Sequence, residues 1–211
     1  MRSLYFWLCL IALVALPLST FGEATPYKEL VKSKPVLING LEFIAATEAQ
    51  WLAFNPPTGR DPIEVQLWIT NRTEKDLIFR VFDTFRIVIK DAFGNELVGD
   101  ARRDGTLRTK PVLIHPGETY CLSHKGVLAW HPDGTRTFGY EDGTGSTCIW
   151  KLVFAGKYTL SFWVGNKQDD EGMKGFMRNH GFSGQLPPCW KGEGNTAEVP
   201  FEIVDPPPEH L

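Results

Sequence analysis

The sequence lacks any motif with a mechanism attached. No Gly-x-Ser-x-Gly elbow is present, and Ser183-Gly184 does not have the strand-turn-helix setting that a nucleophile elbow requires. No helix longer than a turn or two can be read from the apolar spacing, no segment repeats, and low complexity is confined to Pro206–Pro208. Repeat architectures and all-helical folds are thereby excluded, and an enzyme is not expected.

An excess of one charge is also missing. Taking away residues 1–22 removes one cation, Arg2, and no acid, which leaves 21 basic against 25 acidic side chains and a formal charge of −4. Such mild, interspersed acidity gives no footprint for nucleic acid or for an anionic membrane surface. Cysteine is scarce: Cys9 lies in the N-terminal apolar run, and Cys121, Cys148 and Cys189 remain beyond it. An oxidising compartment permits one disulfide among three cysteines and leaves one thiol over. Cys148 with Cys189 is the expected pair, since both sit in irregular segments whereas Cys121 sits in a strand pattern; three thiols are the rival reading.

What is present begins with a targeting segment. Arg2 precedes an almost wholly apolar run, Leu4 to Leu18, and small residues follow around Ser19 to Ala24. That is the layout of a secretory signal peptide, and its core is shorter than the about 20 residues a membrane span needs. Cleavage after Gly22 or Ala24 is expected, giving a secreted, periplasmic or cell-envelope protein without stable membrane insertion. A retained N-terminal anchor is the alternative. The expected organisation is a signal peptide over 1–22, a flexible lead-in over 23–34, a β-sandwich domain over 35–205 and a tail over 206–211.

Alternation dominates the rest. Ile63, Val65, Leu67 and Ile69 share one face of a strand, with Glu64, Gln66, Trp68 and Thr70 on the other. After the polar turn 71–75, the run 77–89 repeats the habit with Phe85, Ile87 and Ile89. Tyr158, Leu160, Phe162 and Val164 oppose Lys157, Thr159, Ser161 and Trp163 in the same way, and Val199, Phe201 and Ile203 mark a last strand that Pro200 assigns to an edge or bulge. Further strands are expected over 35–47 with a bend at Gly40, over 111–114 and over 119–123, and 48–54 reads as a helical turn or an edge segment. Short strands joined by turns imply an all-β fold, a single antiparallel immunoglobulin-like β-sandwich with two long loop insertions at 124–147 and 166–188.

The layout resembles bacterial secreted immunoglobulin-like modules and is similar to the BsuPI-type proteinase inhibitors. The pieces that carry the resemblance are Ile69 to Thr73, Phe85 to Gly94, the Pro116 to Glu118 turn, Gly156 to Leu160, and Trp190-x-Gly192 followed by Ala197 to Val204. The resemblance implies a β-sandwich and, as an alternative activity, proteinase inhibition. The signal peptide, the three cysteines and the two insertions depart from the small inhibitor type.

Candidate chemistry is sparse. Cys121, His124 and His131 match no zinc spacing and are read as strand and loop residues, and no partner can be named for His115 or His180. Residues i and i+3 of a strand point to opposite faces, so Cys121 and His124 do not form a nucleophile–base pair. Asn166, Asp169, Asp170 and Glu171 lack the spacing of a calcium loop, as do Asp91, Asn95 and Glu96. No catalytic residue, metal or cofactor is therefore assigned. Asn71-Arg72-Thr73 is a glycosylation sequon in form, and a turn in a bacterial protein. Trp68 and Trp163 remain: each lies opposite an aliphatic set, so each marks a covered second core or an aromatic binding surface. The function expected is a non-enzymatic binding or interaction module for an unknown protein or glycan, with an inhibitor or a carbohydrate-binding module as the alternatives.

Overall fold

Strand β5 (Ile63–Asn71) forms because its β-branched and aliphatic residues alternate with polar ones, and its Ile63, Val65, Leu67 and Ile69 are all buried. The computed structural model describes residues 29–52, 62–81, 84–103, 111–131, 133, 135–141, 146–152, 154–166, 175, 177–179, 181, 184 and 186–204. The proposed signal peptide and the C-terminal tail lie outside them. The remaining strands are β1 (Leu30–Lys32), β2 (Val36–Ile38), β3 (Leu41–Glu48), β4 (Gln50–Leu52), β6 (Leu77–Phe79), β7 (Phe85–Lys90), β8 (Gly99–Arg103) and β9 (Val112–Ile114). They continue with β10 (Thr119–Trp130), β11 (Arg136–Glu141), β12 (Ser146–Leu152), β13 (Gly156–Asn166), β14 (Gly192–Asn195) and β15 (Val199–Val204).

The chain is all-β. A large sheet runs β1-β3-β5-β10-β11-β12-β8, with β2 also on β3; a second sheet runs β14-β13-β15-β4, with β7 on the other side of β13; β6 and β9 form a small pair. The pairings are antiparallel except for the β15–β4 pairing. Inner-face residues of both sheets share one core, including Phe43, Leu67, Ile69, Ile89, Phe138, Leu160, Phe162 and Phe201. Strand β13 runs from Tyr158, whose hydroxyl donates to the Phe154 carbonyl at 2.9 Å, to Asn166, which donates to the Trp190 carbonyl at 2.7 Å. The indole of Trp190 then donates to the Ile38 carbonyl on β2 at 3.0 Å and packs on Phe43 and Phe79, so the far end of β13 is latched to the edge of the large sheet.

Several expectations change in detail. The lead-in is ordered at Leu30–Lys32, which pairs with Ala46–Glu48. The bend at Gly40 is a two-residue turn with Asn39 at φ 45° and Gly40 at φ 86°, the mirror-image geometry that suits the twist of a hairpin. The run 77–89 is two strands, β6 and β7, in different sheets, so β5 and β7 face one another across the core instead of forming a hairpin. Residues 99–103, a charged stretch without alternation, form β8, the last strand of the large sheet among the described residues.

The largest correction concerns 124–147. That stretch is not an inserted loop: β10 continues to Trp130, β11 pairs back on it, and β12 follows. Its inner face carries Phe138, Tyr140 and Trp150 in near-parallel stacks, and Trp51 of β4 lies 4.4 Å from the Phe138 ring and 4.0 Å from that of Phe201. Gly126 makes this possible, because a Cβ there would lie 2.2 Å from the Phe138 ring. The other proposed insertion, 166–188, falls mostly outside the described residues. Pro200 of β15 sits opposite Thr159 of β13, in the half of the strand that β4 does not reach, so its missing N–H removes no bond to β4.

Candidate functional site

Alternation on β5 that buries Leu67 and Ile69 turns Glu64, Gln66, Trp68 and Thr70 to the outside of the large sheet. Antiparallel register sets Ile44 and Ala46 of β3 beside Trp68 and Gln66 on one side, and Cys121 and Ser123 of β10 beside the same two on the other. Lys32 of β1 stands opposite Ala46, one strand further out. Five residues from three strands therefore converge around the Trp68 indole.

Trp68 is half-buried and held from two directions. Its Nε1 donates to Gln66 Oε1 at 2.7 Å, and the Lys32 ammonium lies over its ring, 4.1 Å from the centroid. Gln66 Nε2 in turn donates to Glu64 Oε1 at 2.7 Å, and Ser123 Oγ donates to the same oxygen at 2.9 Å. Thr70 and Thr119 hydroxyls close the row at 2.8 Å. The result is a strip on the outer face in which Ser123, Glu64, Gln66 and Trp68 are joined in sequence, Gln66 and Thr70 are themselves buried, and the half-buried indole lies in the middle. The sequence pointed to Trp68, Gln66 and Glu64 through their period of two; Lys32 and Ser123 join only through strand pairing, which no local pattern announces.

Cys121 lies against this strip. Burial, chiefly, and the Glu64 carboxylate push its thiol above the ordinary value, while Lys32 pulls it down. The group is a protonated thiol at neutral pH, which is not the state of a nucleophile.

Trp163 belongs elsewhere. It faces outward from the second sheet, beside Arg86, whose guanidinium carbon lies 5.6 Å from its ring centroid. A Cβ on Gly165 would fall 2.5 Å from the Trp163 ring, so that glycine lets the indole lie down along its strand. Trp68 and Trp163 thus sit on the outer faces of opposite sheets, on either side of the common core, and cannot form one platform.

The expected disulfide between Cys148 and Cys189 is not formed; Cys121, Cys148 and Cys189 are all thiols. Cys148 faces the main core from β12 opposite Tyr140, whereas Cys189 packs in a separate cluster with Ile78 and Met177, so the two belong to different regions of the fold. His124 is buried on the inner face of β10 between Phe85 and Tyr140, opposite in direction to Cys121 as the strand period requires. His131 bonds Thr137, and His115 has a partner the sequence did not reveal, Asp76 at 2.9 Å. Asp91 caps its own turn, accepting from the Phe93 and Asn95 amides. Asn71, the sequon residue, is fully buried. Among the described residues no group of three His, Cys, Asp or Glu side chains converges to hold a metal ion, and no helix is long and apolar enough to cross a membrane.

No protein-family model matches the chain, and no curated protein matches it. Solved structures similar to it include a β-glucosidase involved in saponin metabolism from intestinal bacteria, at 12% identity and a TM-score of 0.29, covering 84% of this chain and 16% of the enzyme. The chain therefore spans about a sixth of that protein's length. FetP from a uropathogenic Escherichia coli strain is similar at 10% identity and a TM-score of 0.27, covering 82% of this chain and 94% of FetP. A copper-bound FetP variant follows at 11% identity and 0.25, covering 83% and 91%. At scores this low none of the three informs the fold or the activity of this chain.

Proposed function

We propose that the chain is a secreted or envelope-located, non-enzymatic binding module that meets a protein or glycan partner with the outer face of its large sheet. The observation that supports this reading is the Lys32–Trp68–Gln66 arrangement. An indole already fixed by a cation and an amide loses little freedom when a partner packs on it, and it offers apolar area beside donors and acceptors. Glu64 and Ser123 extend the same fixed strip. The raised Cys121 thiol favours binding over nucleophilic chemistry at this face.

A glycan panel read by tryptophan fluorescence and a photo-crosslinker placed at Lys125 of the large-sheet face, compared with one at Lys157 of the second sheet, test the proposal. Binding or adducts that depend on Trp68 and survive Trp163→Ala are expected. A ligand retained in full by Trp68→Ala, or adducts confined to position 157, would overturn it.

A further inference from the structure

We infer that one end of the two packed sheets is a lipid-facing surface, whose exposed apolar turns dip reversibly into the interface of an uncharged bilayer. Among the described residues the large apolar side chains that stand exposed are Leu37, Leu52, Phe93, Val98, Val127 and Phe154. Scattered singly they would need no explanation, but strand register gathers four of them at one end. Ile203 pairs with Gly156 on one side and with Trp51 on the other, which brings Phe154, just before β13, to the level of Leu52. Lys90 pairs with Thr159, so the turn after β7 carries Phe93 toward the start of β13. The Leu97 amide donates to the Ile89 carbonyl and keeps Val98 beside the end of β7. Leu37, opposite Glu42 near the start of β3, lies at the other end.

The two phenylalanines are held outward. Asp91 accepts from the amides of Phe93 and Asn95, and Gly94 takes φ 84°, so Phe93 tops a fixed turn and is 91% exposed. Buried Tyr158 donates its hydroxyl to the Phe154 carbonyl at 2.9 Å, and Phe154 is 71% exposed. Apolar side chains on turn tips line no groove, and a bilayer interface closes around them without a matching cavity for each. Where the chain enters the fold selects that occupant. Leu30 pairs with Glu48, just before β4, so the described chain begins at this same end. Residues 19–28 separate it in sequence from the apolar run Leu4 to Leu18, a span of at most about 40 Å even fully extended. That run is the part of the chain that engages a membrane, so the end bearing Phe93 and Phe154 is the one brought to the bilayer. Charge adds no attraction: Lys90 is paired with Glu198 at 2.7 Å, and Asp91 and Glu96 flank the Phe93 turn, which suits neutral headgroups and not an anionic surface.

Co-sedimentation of the exported chain, freed of residues 1–22, with phosphatidylcholine vesicles tests this. Two phenylalanines and a valine bury less apolar surface than a myristoyl chain, which binds with a constant of about 10⁴ M⁻¹, so half of the protein should pellet at roughly millimolar lipid. Phe93→Ser together with Phe154→Ser should weaken binding at least about tenfold, each single change giving part of the loss, while Leu37→Ser at the opposite end leaves it unchanged. Adding phosphatidylglycerol, or raising salt, should alter it by no more than about twofold. No pelleting at about ten times that lipid concentration would overturn the inference. So would binding that Leu37→Ser weakens as much as the phenylalanine changes do, or binding that appears only with anionic lipid and vanishes in salt. A two-chain mass without lipid that the double substitution returns to one chain would make a second copy the occupant and overturn it as well. Circular dichroism checks that each variant is folded, and if the double variant is not, the wild-type and single-variant isotherms decide.

Discussion

The buried carboxamide of Asn71 donates to the carbonyl of Ile114 at 2.9 Å, joining the end of β5 to β9 across 43 residues of sequence. It also donates to the Lys75 carbonyl, and its oxygen accepts from the Thr73 amide and hydroxyl. One side chain thus satisfies the turn after β5 and the small β6–β9 pair together. Asn71→Ala takes the side-chain partner from the Ile114 carbonyl and from the Thr73 amide, while the Lys75 carbonyl keeps the Thr73 hydroxyl, and is expected to cost about 1–3 kcal/mol in urea unfolding. Expression in a eukaryotic secretory host should leave folded protein with little glycan at this sequon, since the acceptor nitrogen is engaged on both protons; full occupancy in folded material would show that the carboxamide is accessible.

The alternation of β5, β7 and β13 was legible because one face of each meets the core, and a period of two is what a half-buried strand writes. Sheet membership was not. The apolar run 77–89 carries no sign that β6 and β7 part company, because both halves are buried against the same core from different sides. The 124–147 segment read as a loop for a related reason: Gly126 and Gly139 look like breakers in sequence, yet Gly126 provides the room a neighbouring ring occupies. Lys32 and His115 acquired their partners, Trp68 and Asp76, through contacts 36 and 39 residues away, beyond any local pattern.

Ile87 and Arg86 are neighbours with opposite fates. Ile87 is 3% exposed and faces the core, whereas Arg86 leans outward over Trp163. Ile87→Asp buries a carboxylate without a partner and should unfold the chain or cost several times more than Arg86→Asp, which exposes its new charge. Comparable melting temperatures for the two variants would contradict the assignment of faces on β7.

Gly126→Ala tests whether the β10–β12 extension belongs to the cooperative fold. The new methyl would meet the Phe138 ring, and it would also lie 3.2 Å from the Gly139 carbonyl oxygen. A loss of about 1–3 kcal/mol in a single unfolding transition is expected. A neutral change, or a separate early transition, would show that this part of the sheet melts by itself.

His115 titrates above the ordinary imidazole value because it is hydrogen-bonded to Asp76, whose charge adds to the effect, with a smaller contribution from Glu118. A raised value means that the pair stabilises the folded state fully below the ordinary value of about 6.5 and that this contribution is lost as pH rises through the raised one. Both groups are exposed, so the effect on stability is slight and the midpoint itself is the useful readout. Nuclear magnetic resonance titration should find His115 shifted upward in wild type and returned toward the ordinary value in Asp76→Asn. An unchanged midpoint in that variant would remove Asp76 as the cause.

Cys121 reports on the same strip that holds Trp68. Burial is the chief reason its thiol is raised; Glu64 reinforces this by disfavouring a second negative charge, and Lys32 opposes it. Since the thiolate is the reactive form, alkylation by iodoacetamide at about pH 8 should be slower than for an exposed cysteine of ordinary value. Neutralising the two flanking charges should act in opposite directions: Glu64→Gln speeds the reaction, and Lys32→Gln slows it further. Peptide mapping separates Cys121 from Cys148 and Cys189. A raised thiol also adds to stability only below its ordinary range, a contribution lost as pH climbs through the folded value, so Cys121→Ser should flatten any alkaline fall in stability. If the two charge variants shift the rate in the same direction, Glu64 and Lys32 do not face Cys121 from the positions the sheet gives them, and the pre-formed strip around Trp68 loses its basis.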